Sequence, residues 1–448
     1  MVRFRVLLVL LVAATALAPL LGPGADAKNR HPVARTDADA VRTASGDPGD
    51  VTDRYIVAVT KNSPDPGTVA DRLASNLGIQ VSHVYRHGFR GFAAKIAPDV
   101  LPQVRKNANV RLVEPDEPIT VSSAVQAEAA PEMLAAGAQE VPDYLKRIGA
   151  TRNSVAQIDG VDQRVDVTVA VIDTGIDRST ADWDMNLVGG YNCAPDADST
   201  DVGWDSDGYS HGTSVAGIIG ALDNDHGSVG VAPGANLWSV KVFDARGRGS
   251  TSTLLCGLNF VNDNIGGGAG IQVVNMSLGT SPGRKVKSKA CTDTMSDDLH
   301  LAVCAVVDGG ATVVAAAGND ATKAKRVKPG AYAEVITVSA FKMVGPGQDR
   351  FAGFSNYGGA VTLSAPGAPV DVLIAGQTFI AAAYGTSFSA PQVSGAAALA
   401  IAGAGGSMSP ADVRAKLLTD REQVHLKKDP DKRDEGVVNV ADPGSPSP

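Results

Sequence analysis

The chain alternates short apolar runs with segments of helical spacing over most of its length. Runs of mainly apolar residues stand at 167–172, 237–242, 273–276, 312–317, 335–338 and 361–364. Runs that lack a polar face are typical of strands buried on both sides of a parallel sheet. Helical spacing predicts helices at 211–222, 250–263, 297–308, 387–402 and 410–418. This alternation predicts one α/β domain built on a central parallel sheet.

A smaller unit precedes this domain. The pattern over residues 54–113 predicts strands at 55–59, 81–85, 89–96 and 110–113, with helices at 69–77 and 100–106. The order β-α-β-β-α-β is that of a small split-βαβ, or ferredoxin-like, α+β unit. We therefore expect a first domain at 54–121 and a second at 141–441.

The segments around these domains have a different composition. Residues 28–53 are polar without an apolar period and predict a flexible lead, and residues 442–448 predict a disordered tail. Residues 122–140 contain scarcely any bulky apolar side chain and predict an exposed connection that a protease can cut.

The N-terminus has the pattern of a secretory signal. Arg3 and Arg5 precede an almost wholly apolar stretch at 6–21, and small residues surround a cleavage point near Ala27. The alternative is a membrane anchor, but the stretch is short for a span and contains Pro19. We expect a signal peptide at 1–27 and a secreted, extracellular product that is not held in a membrane.

The net charge and the cysteine content further restrict the class of protein to which this chain can belong. The 448 residues carry a formal net charge of −8, so no basic field indicates nucleic acid. As a separate expectation, we take the protein to be a monomer. All four cysteines fall beyond residue 190, and in an exported chain they predict two disulfides with three possible connectivities. We favour Cys291–Cys304, which are only 13 positions apart, and then Cys193–Cys256 by elimination. Buried free thiols are the alternative.

Four residues at strand or helix ends could carry chemistry together. Asp173 follows a buried strand, His211 opens a helix, Asn319 follows a strand and Ser387 stands at a helix start. Each alone has a simpler interpretation as a cap, a turn residue or a polar helix start. Together they supply a nucleophile, its base, a carboxylate that orients the base and an amide donor for an oxyanion. Amide hydrolysis through an acyl-enzyme requires this set.

The motifs around these residues resemble those of the subtilisin family of serine endopeptidases. The matching segments are Asp173-Thr174-Gly175, His211-Gly212-Thr213 and Gly385-Thr386-Ser387-Phe388-Ser389-Ala390-Pro391. The resemblance covers about residues 143–440 and implies a three-layer α/β fold with a central parallel sheet. It implies that Asp173, His211 and Ser387 form a catalytic triad and that Asn319 is the side-chain oxyanion donor.

The resemblance also implies the edges of a substrate cleft. The implied substrate-binding residues are Gly247, Arg248, Gly249, Ser277, Leu278, Gly279, Ala316 and Gly318. They would pair with an extended polypeptide by strand addition, which reads backbone and tolerates many sequences. Three positions depart from the family pattern, namely Ser214, Phe388 and Gln392. They affect packing and specificity rather than the catalytic set.

Two further features follow from the resemblance. Residues 54–121 are similar to the family's inhibitory propeptide, so the chain's own first domain is an expected inhibitory partner. A structural Ca²⁺ is expected as the only cofactor, with oxygen ligands from Asp182, Leu222, Asn224, His226 and Ser228. The alternative for this loop is an acidic surface turn without a metal.

Two rival functions stay open at this point. An α/β-hydrolase esterase is disfavoured because the serine motif lacks the second glycine of G-x-S-x-G. A catalytically silent binding protein on the same fold is the other alternative. The preferred residue before the cleaved bond is not readable, since Asp320 favours basic side chains while the lysines that follow it oppose them.

Overall fold

The computed structural model describes residues 51–121, 139–180, 186–195, 202–224, 227–286, 291, 297–345, 347–377 and 380–445. The predicted signal peptide lies outside these residues, as do most of the lead and of the connection at 122–140 and the end of the tail. Within the described part of the chain, no helix is both long enough and apolar enough to span a membrane.

The first domain is the predicted split-βαβ unit. Its elements are β1 (Arg54–Val59), α1 (Pro66–Leu77), β2 (Gln80–Tyr85), β3 (Gly91–Lys95), α2 (Leu101–Arg105) and β4 (Val110–Pro115). The strands form an antiparallel sheet in the order β2-β3-β1-β4. Asp65 begins α1 by accepting the Gly67 N–H at 2.9 Å, and Gly78 ends it in the left-handed conformation at φ 71°.

The larger domain follows two short strands that lie outside both main sheets, β5 (Pro118–Val121) and β6 (Gln139–Glu140). Its helices are α3 (Asp143–Ile148), α4 (His211–Gly220), α5 (Thr251–Asn264), α6 (Asp298–Asp308), α7 (Thr386–Gly403) and α8 (Pro410–Asp420). Its strands are β7 (Thr168–Asp173), β8 (Leu187–Asn192), β9 (Gly227–Ser228), β10 (Asn236–Lys241), β11 (Arg248–Ser250), β12 (Val273–Met276), β13 (Leu278–Thr280), β14 (Thr312–Ala316), β15 (Ile336–Lys342), β16 (Arg350–Phe351), β17 (Leu363–Pro366), β18 (Val370–Leu373) and β19 (Ile380–Ala383).

The central sheet has the order β16-β15-β14-β12-β7-β10-β8, with β17 also paired to β15. Every pair in it is parallel except β15–β16. Alternate residues of β7 serve opposite faces, since Val169 and Val171 pack in the core under α4 and α7 while Ala170 and Ile172 pack under α5. A strand that must be apolar on both faces explains the continuous run, and the predicted three-layer fold is confirmed.

Sequence patterns missed several elements of this domain. Strand β8 contains Gly189 and Gly190, which lower strand propensity. A Cβ at these positions would lie 2.7 Å from the Trp238 ring and 2.3 Å from the Trp204 ring. The glycines therefore admit two indoles against the strand, a reason that is visible only in the folded protein. The short antiparallel strands β16, β18 and β19 were also not predicted.

Both favoured disulfides are present. Cys193 bonds to Cys256 with the Cα atoms 5.9 Å apart, and Cys291 bonds to Cys304 at 5.8 Å. The first joins the end of β8 to α5, and the second fastens the chain before α6 to that helix.

Candidate active site

Asp173 and His211 form a buried pair at the carboxyl end of the sheet. Asp173 is the last residue of β7 and His211 the first of α4, and both side chains are fully buried. Asp173 Oδ1 lies 2.8 Å from His211 Nδ1 and also accepts the Thr174 N–H at 2.7 Å. An imidazole bonded through Nδ1 has its Nε2 fixed in direction. Among the described residues, Nε2 has no hydrogen-bond partner.

The close approach of α4 to β7 depends on Gly212. A Cβ at this position would lie 2.1 Å from the Gly175 carbonyl oxygen and 3.2 Å from Asp173 Cβ. Any side chain here would push the start of α4 away from the end of β7. The glycine that follows His211 in the sequence therefore sets the distance between imidazole and carboxylate.

Asp207 is a positioning residue that sequence reasoning missed. It is only 7% exposed, and its carboxylate accepts the Thr174 hydroxyl at 2.8 Å together with the N–H and hydroxyl of Thr213 at 2.9 and 2.8 Å. Thr174 Oγ1 in turn accepts the Gly212 N–H at 2.8 Å. Asp207 thus ties the residue after Asp173 to the first turn of α4. The sequence held no signal that separates Asp207 from a surface carboxylate.

We expect Asp207→Asn to lower kcat by about 10- to 100-fold while KM changes little, because a misplaced imidazole affects the reacting geometry and not the strand-binding cleft. Steady-state kinetics on a peptide substrate separates the two constants. Asp205→Asn is the matched control. The Asp205 side chain is exposed and forms a surface ion pair with Arg178 at 3.6 Å. A rise in KM alone, or an equal loss in the control, would contradict the positioning role.

Ser387 lies in the first turn of α7. Its hydroxyl donates to the Ser277 carbonyl at 3.1 Å, and the Ser277 hydroxyl donates to the Ser387 carbonyl at 2.8 Å. The structure therefore joins Ser387 to the residue just before β13, and no described hydrogen bond joins it to His211 Nε2. Catalytic hydrogen bonds are often absent before a reacting substrate is in place.

Asn319 is held against the start of α7. Its amide oxygen accepts the Thr386 N–H at 3.0 Å and the Thr386 hydroxyl at 2.9 Å, and Gly318 donates its N–H to that hydroxyl at 3.1 Å. With the oxygen so engaged, the amide nitrogen is directed away from Thr386 and remains available as a donor. The arrangement places an amide donor beside the residue next to Ser387.

The three departures from the family pattern are all absorbed by packing. Ser214 donates to the Leu373 carbonyl at 2.6 Å, and Gln392 donates to the Pro366 carbonyl at 2.7 Å. The Phe388 ring lies 5.6 Å from the His211 ring in a tilted arrangement. Of the three, Phe388 packs against the imidazole of the Asp173–His211 pair, and the other two are held by main-chain carbonyls.

The first domain inserts its C-terminal strand next to Ser387. Strand β5 lies between β11 and β13 and is antiparallel to both. The paired residues are Arg248–Ser250 on one side and Leu278–Thr280 on the other, so each edge is shifted by one residue from the predicted triplets. Gly247 stands before β11 at φ 70°, while Ala316 ends β14 and Gly318 follows it. Ile119 of β5 is 1% exposed.

Two carboxylates of the first domain cap helices of the second. Asp116 accepts the N–H of Ser252 at 2.9 Å and its hydroxyl at 2.7 Å, at the start of α5. Glu114 accepts the Asp298 N–H at the start of α6. The N-terminus of a helix favours an anion, but burial opposes the charge and raises the pKa of both carboxyls. Burial, followed by repulsion from Asp298 and Asp297, raises the pKa of Glu114 to about 7.

We expect Glu114→Gln to strengthen inhibition by the 54–121 fragment at pH 8 and to leave it nearly unchanged at pH 5. The pKa of Glu114 rises from an ordinary 4.5 to about 7 on docking. Docking therefore favours the protonated carboxyl: the affinity that Glu114 contributes is complete below pH 4.5 and is lost as pH rises through 7. A glutamine accepts the same N–H without the charge. The gain should be several-fold, because Glu114 is partly exposed.

The measurement is the inhibition constant of each fragment against the mature enzyme at pH 5, 6, 7 and 8. Burial lowers the pKa of His83 to about 4. Both fragments contain His83, so comparing them at each pH cancels its contribution. A ratio of inhibition constants that does not change with pH would contradict the role of Glu114.

The predicted metal residues are only partly described. Asp182 and His226 lie outside the described residues, while Leu222 and Asn224 lie in the loop after α4 and Ser228 is the last residue of β9. Gln139, which sequence reasoning missed, reaches this loop through the pairing of β6 with β9. Its side-chain oxygen accepts the Asn224 N–H at 2.7 Å, and its amide donates to Asp223 at 2.5 Å. The composition of residues 122–140 contained no signal for this contact.

Comparison with known proteins assigns both domains. The profile of the subtilase family matches residues 164–439, and that of peptidase inhibitor I9 matches residues 54–122. The chain is 30% identical to alkaline serine exoprotease A of Vibrio alginolyticus over 82% of this chain and 64% of that protein. It is 37% identical to subtilisin BL of Lederbergia lenta over 58% of this chain and 84% of that protein.

A third relative, subtilisin E of Bacillus subtilis, is 37% identical over 52% of this chain and 55% of that protein. The subtilase profile spans the Asp173–His211 pair and the start of α7, and the inhibitor profile spans β5. The chain therefore belongs to the subtilase family of serine proteases and carries its own peptidase inhibitor I9 domain.

Proposed function

We propose that this chain is the zymogen of a secreted serine endopeptidase in which Ser387 is the nucleophile, His211 its general base and Asp173 the residue that orients the base. One observation carries the proposal. The Ser387 hydroxyl donates a hydrogen bond to the Ser277 carbonyl, at the end of a cleft that already holds an extended polypeptide, β5. A nucleophile beside a strand-binding cleft is suited to cleave peptide bonds.

The catalytic cycle follows from the positions of these groups. When a scissile carbonyl enters, the Ser387 hydroxyl leaves the Ser277 oxygen, donates to His211 Nε2 and attacks the carbonyl carbon. Asp173 holds the Nδ1–H tautomer and stabilises the imidazolium that forms. The Nδ2 of Asn319 and the N–H at the start of α7 donate to the oxyanion. His211 then protonates the leaving amine, and water repeats the sequence on the acyl-enzyme.

Substrate recognition uses the edges that hold β5. Residues 247–250 and 277–280 supply main-chain donors and acceptors on both sides, so an extended substrate becomes the middle strand of three. Ala316 and Gly318 line the approach to Asn319 as small residues. Recognition through the backbone fits a broad range of polypeptide substrates. We propose that the enzyme acts as a monomer.

The register of β5 suggests the bond at which the precursor is processed. Val121 is the last paired residue of β5 that the structure describes, and it stands opposite Leu278. The next residue on that edge, Ser277, holds the Ser387 hydroxyl. In an antiparallel pairing the following residue of a bound peptide stands opposite Ser277. We place the first cut at the bond between residues 122 and 123, and the intact mass of the released propeptide tests it.

The remaining domain boundaries are proposed from the sequence and the matched regions. We propose a signal peptide at 1–27, a lead at 28–53, the propeptide at 54–121, a cleavable connection at 122–140, the peptidase at 141–441 and a tail at 442–448. Export rests on the N-terminal pattern and on the two disulfides, which form in oxidising compartments. We propose no nucleic-acid partner for a chain of net charge −8.

Subtilisins generally bind structural calcium, and we propose a site in this chain formed by Asp182, Leu222, Asn224, His226 and Ser228. One carboxylate, one amide and main-chain carbonyls are hard oxygen donors of the kind Ca²⁺ prefers. The cation would fasten the loop before β9 to the core and take no part in the chemistry.

We expect chelation to lower the melting temperature of the mature enzyme, because a ligand that binds only the folded state stabilises it by mass action. Differential scanning calorimetry with added Ca²⁺ and with EDTA measures the shift. Asn224→Ala should abolish the difference between the two conditions. A calcium-dependent shift of the same size in Asn224→Ala would contradict this site.

A fluorophosphonate probe tests the peptidase proposal directly. It should label the mature protein once, on the peptide that contains Ser387, and the free propeptide should protect against labelling. Absence of labelling in a correctly folded mature chain would overturn the proposal and favour a catalytically silent binding protein.

A further inference from the structure

Beyond the cleft, the edge strand β13 continues into a second pair of chain segments. The Thr280 N–H donates to the Lys328 carbonyl at 2.9 Å, Gly283 donates to Arg326 at 2.9 Å, and Val286 donates to Lys325 at 2.9 Å. Segments 281–286 and 323–328 therefore lie side by side directly after the last residue paired with β5. This surface is a continuation of the cleft on the side of the substrate's N-terminus.

The surface is strongly basic, although the chain as a whole carries a net charge of −8. We call it the basic surface; its members are Arg284, Lys285, Lys323, Lys325 and Arg326. Among the described residues none of the five has an ion-pair partner. Contact with the Lys285 ammonium lowers the pKa of Lys325, so like charges face each other without an anion between them.

Two carboxylates that border the basic surface already have ion-pair partners. A depression of about 110 Å³ beside Lys323 and Lys325 contains Asp431, which pairs with Arg433 at 3.7 Å. On the other side Asp297 pairs with Lys328 at 3.1 Å. The positive charge of the five side chains is therefore not neutralised by these neighbours.

We propose that the basic surface binds acidic residues of the substrate that lie N-terminal to the cleaved bond, an inference that rests on the proposed peptidase function. Ile119 of β5 stands opposite Thr280, and the pairing is antiparallel. Residues upstream of that position in a straight substrate strand run beside segment 281–286 at about 3.3 Å per residue. Acidic side chains there meet the five cations.

The propeptide takes a different route at the same point. Its chain reaches α5 at Asp116, whose carboxylate caps that helix through Ser252. A substrate without this capping carboxylate is free to continue along β13. The basic surface thus selects among substrates without being required for inhibition by the propeptide.

Exposed charge pairs act mainly by steering and by weak, salt-sensitive attraction. We expect a peptide with four glutamates before its cleaved segment to have a kcat/KM about tenfold above that of its four-glutamine counterpart at low salt. The difference should lie in KM, because the acidic residues do not reach Ser387. It should fall to about twofold or less at about 0.5 M NaCl, where the Debye length is only a few ångströms.

The experiment uses mature enzyme and two internally quenched peptides with the sequence of residues 119–124, preceded by four glutamates or four glutamines. The test variant is Lys285→Gln/Lys325→Gln. The matched control is Lys146→Gln/Lys416→Gln, which removes the same charge from two exposed lysines outside the basic surface. Lys416 borders a separate cavity at the C-terminal end of α7.

We expect the test variant to lose most of the preference for the glutamate peptide and to cleave the glutamine peptide at an unchanged rate. Equal cleavage of the two peptides by the unaltered enzyme would overturn this inference alone. A preference that survives in the test variant but falls in the control would also overturn it. Cleavage of neither peptide by correctly folded enzyme would overturn the peptidase function itself.

Discussion

Ser387→Ala is expected to reduce turnover by about 10⁶-fold and to accumulate as the uncut precursor. The substitution removes one oxygen at the start of α7, where the hydroxyl meets Ser277. Alanine is a good helix residue, so α7 and the Asp173–His211 pair should stay in place. The residual activity of the variant comes from substrate binding and from the oxyanion donors alone, and it should be small.

The measurement is the size and N-terminus of the expressed protein, together with kcat on a peptide. Ser389→Ala is the matched control on the same helix, since Ser389 donates only to the Ala365 and Pro366 carbonyls. The control should mature and keep its activity within several-fold. If Ser387→Ala matured to the same N-terminus in a host without other proteases, self-processing would be wrong.

Truncating the propeptide at Asp116 should weaken its inhibition of the mature enzyme by roughly 10³- to 10⁴-fold. The full 54–121 fragment adds β5 to two edges, and Ile119 becomes 1% exposed in the complex. Burying that side chain contributes about 1.5–3 kcal/mol and each net hydrogen bond about 0.5–1.5 kcal/mol. The sum exceeds about 4 kcal/mol, which is three decades in affinity.

The shortened fragment should still fold, because its core lies within the split-βαβ unit and includes Val57, Leu73, Phe92 and Val104. Thr120→Ala is the control: Thr120 is exposed, so the variant keeps the main-chain pairing and should inhibit like the original. Equal inhibition constants for the 54–116 and 54–121 fragments would rule out occupation of the cleft by β5 in solution. Loss of folding in the shorter fragment is excluded by its circular dichroism.

Most secondary structure and the identity of the candidate site were predictable because local signals agreed with each other. The run at 167–172 is apolar on both faces, and β7 is buried on both faces, so period and environment match. The small unit was equally clear, with Gly78 ending α1 as expected. The glycine after His211 and the hydroxyl before Ser387 mark close approaches that few other residues allow.

Long-range partners could not be predicted in the same way. Asp207 has no sequence feature that separates a structural carboxylate from a surface one, and only the meeting of Thr174 with Thr213 defines its role. Gln139 reaches Asn224 across 85 positions. Strand β8 was missed because its glycines are typical of a loop. The reason for them, the rings of Trp238 and Trp204 packed against the strand, is visible only in the folded protein.

The sequence by itself determined most of the order of elements, the two domains and the four candidate catalytic residues, and it favoured two of the possible cysteine pairs. These depend on local periodicity and on short motifs whose chemistry is specific. Only the tertiary structure decided that β5 fills the cleft with a register one residue from the predicted edges, and that five cations continue along β13. The register of β5 and the basic surface both arise where segments far apart in the chain are brought together. No local sequence pattern shows which distant segments will meet.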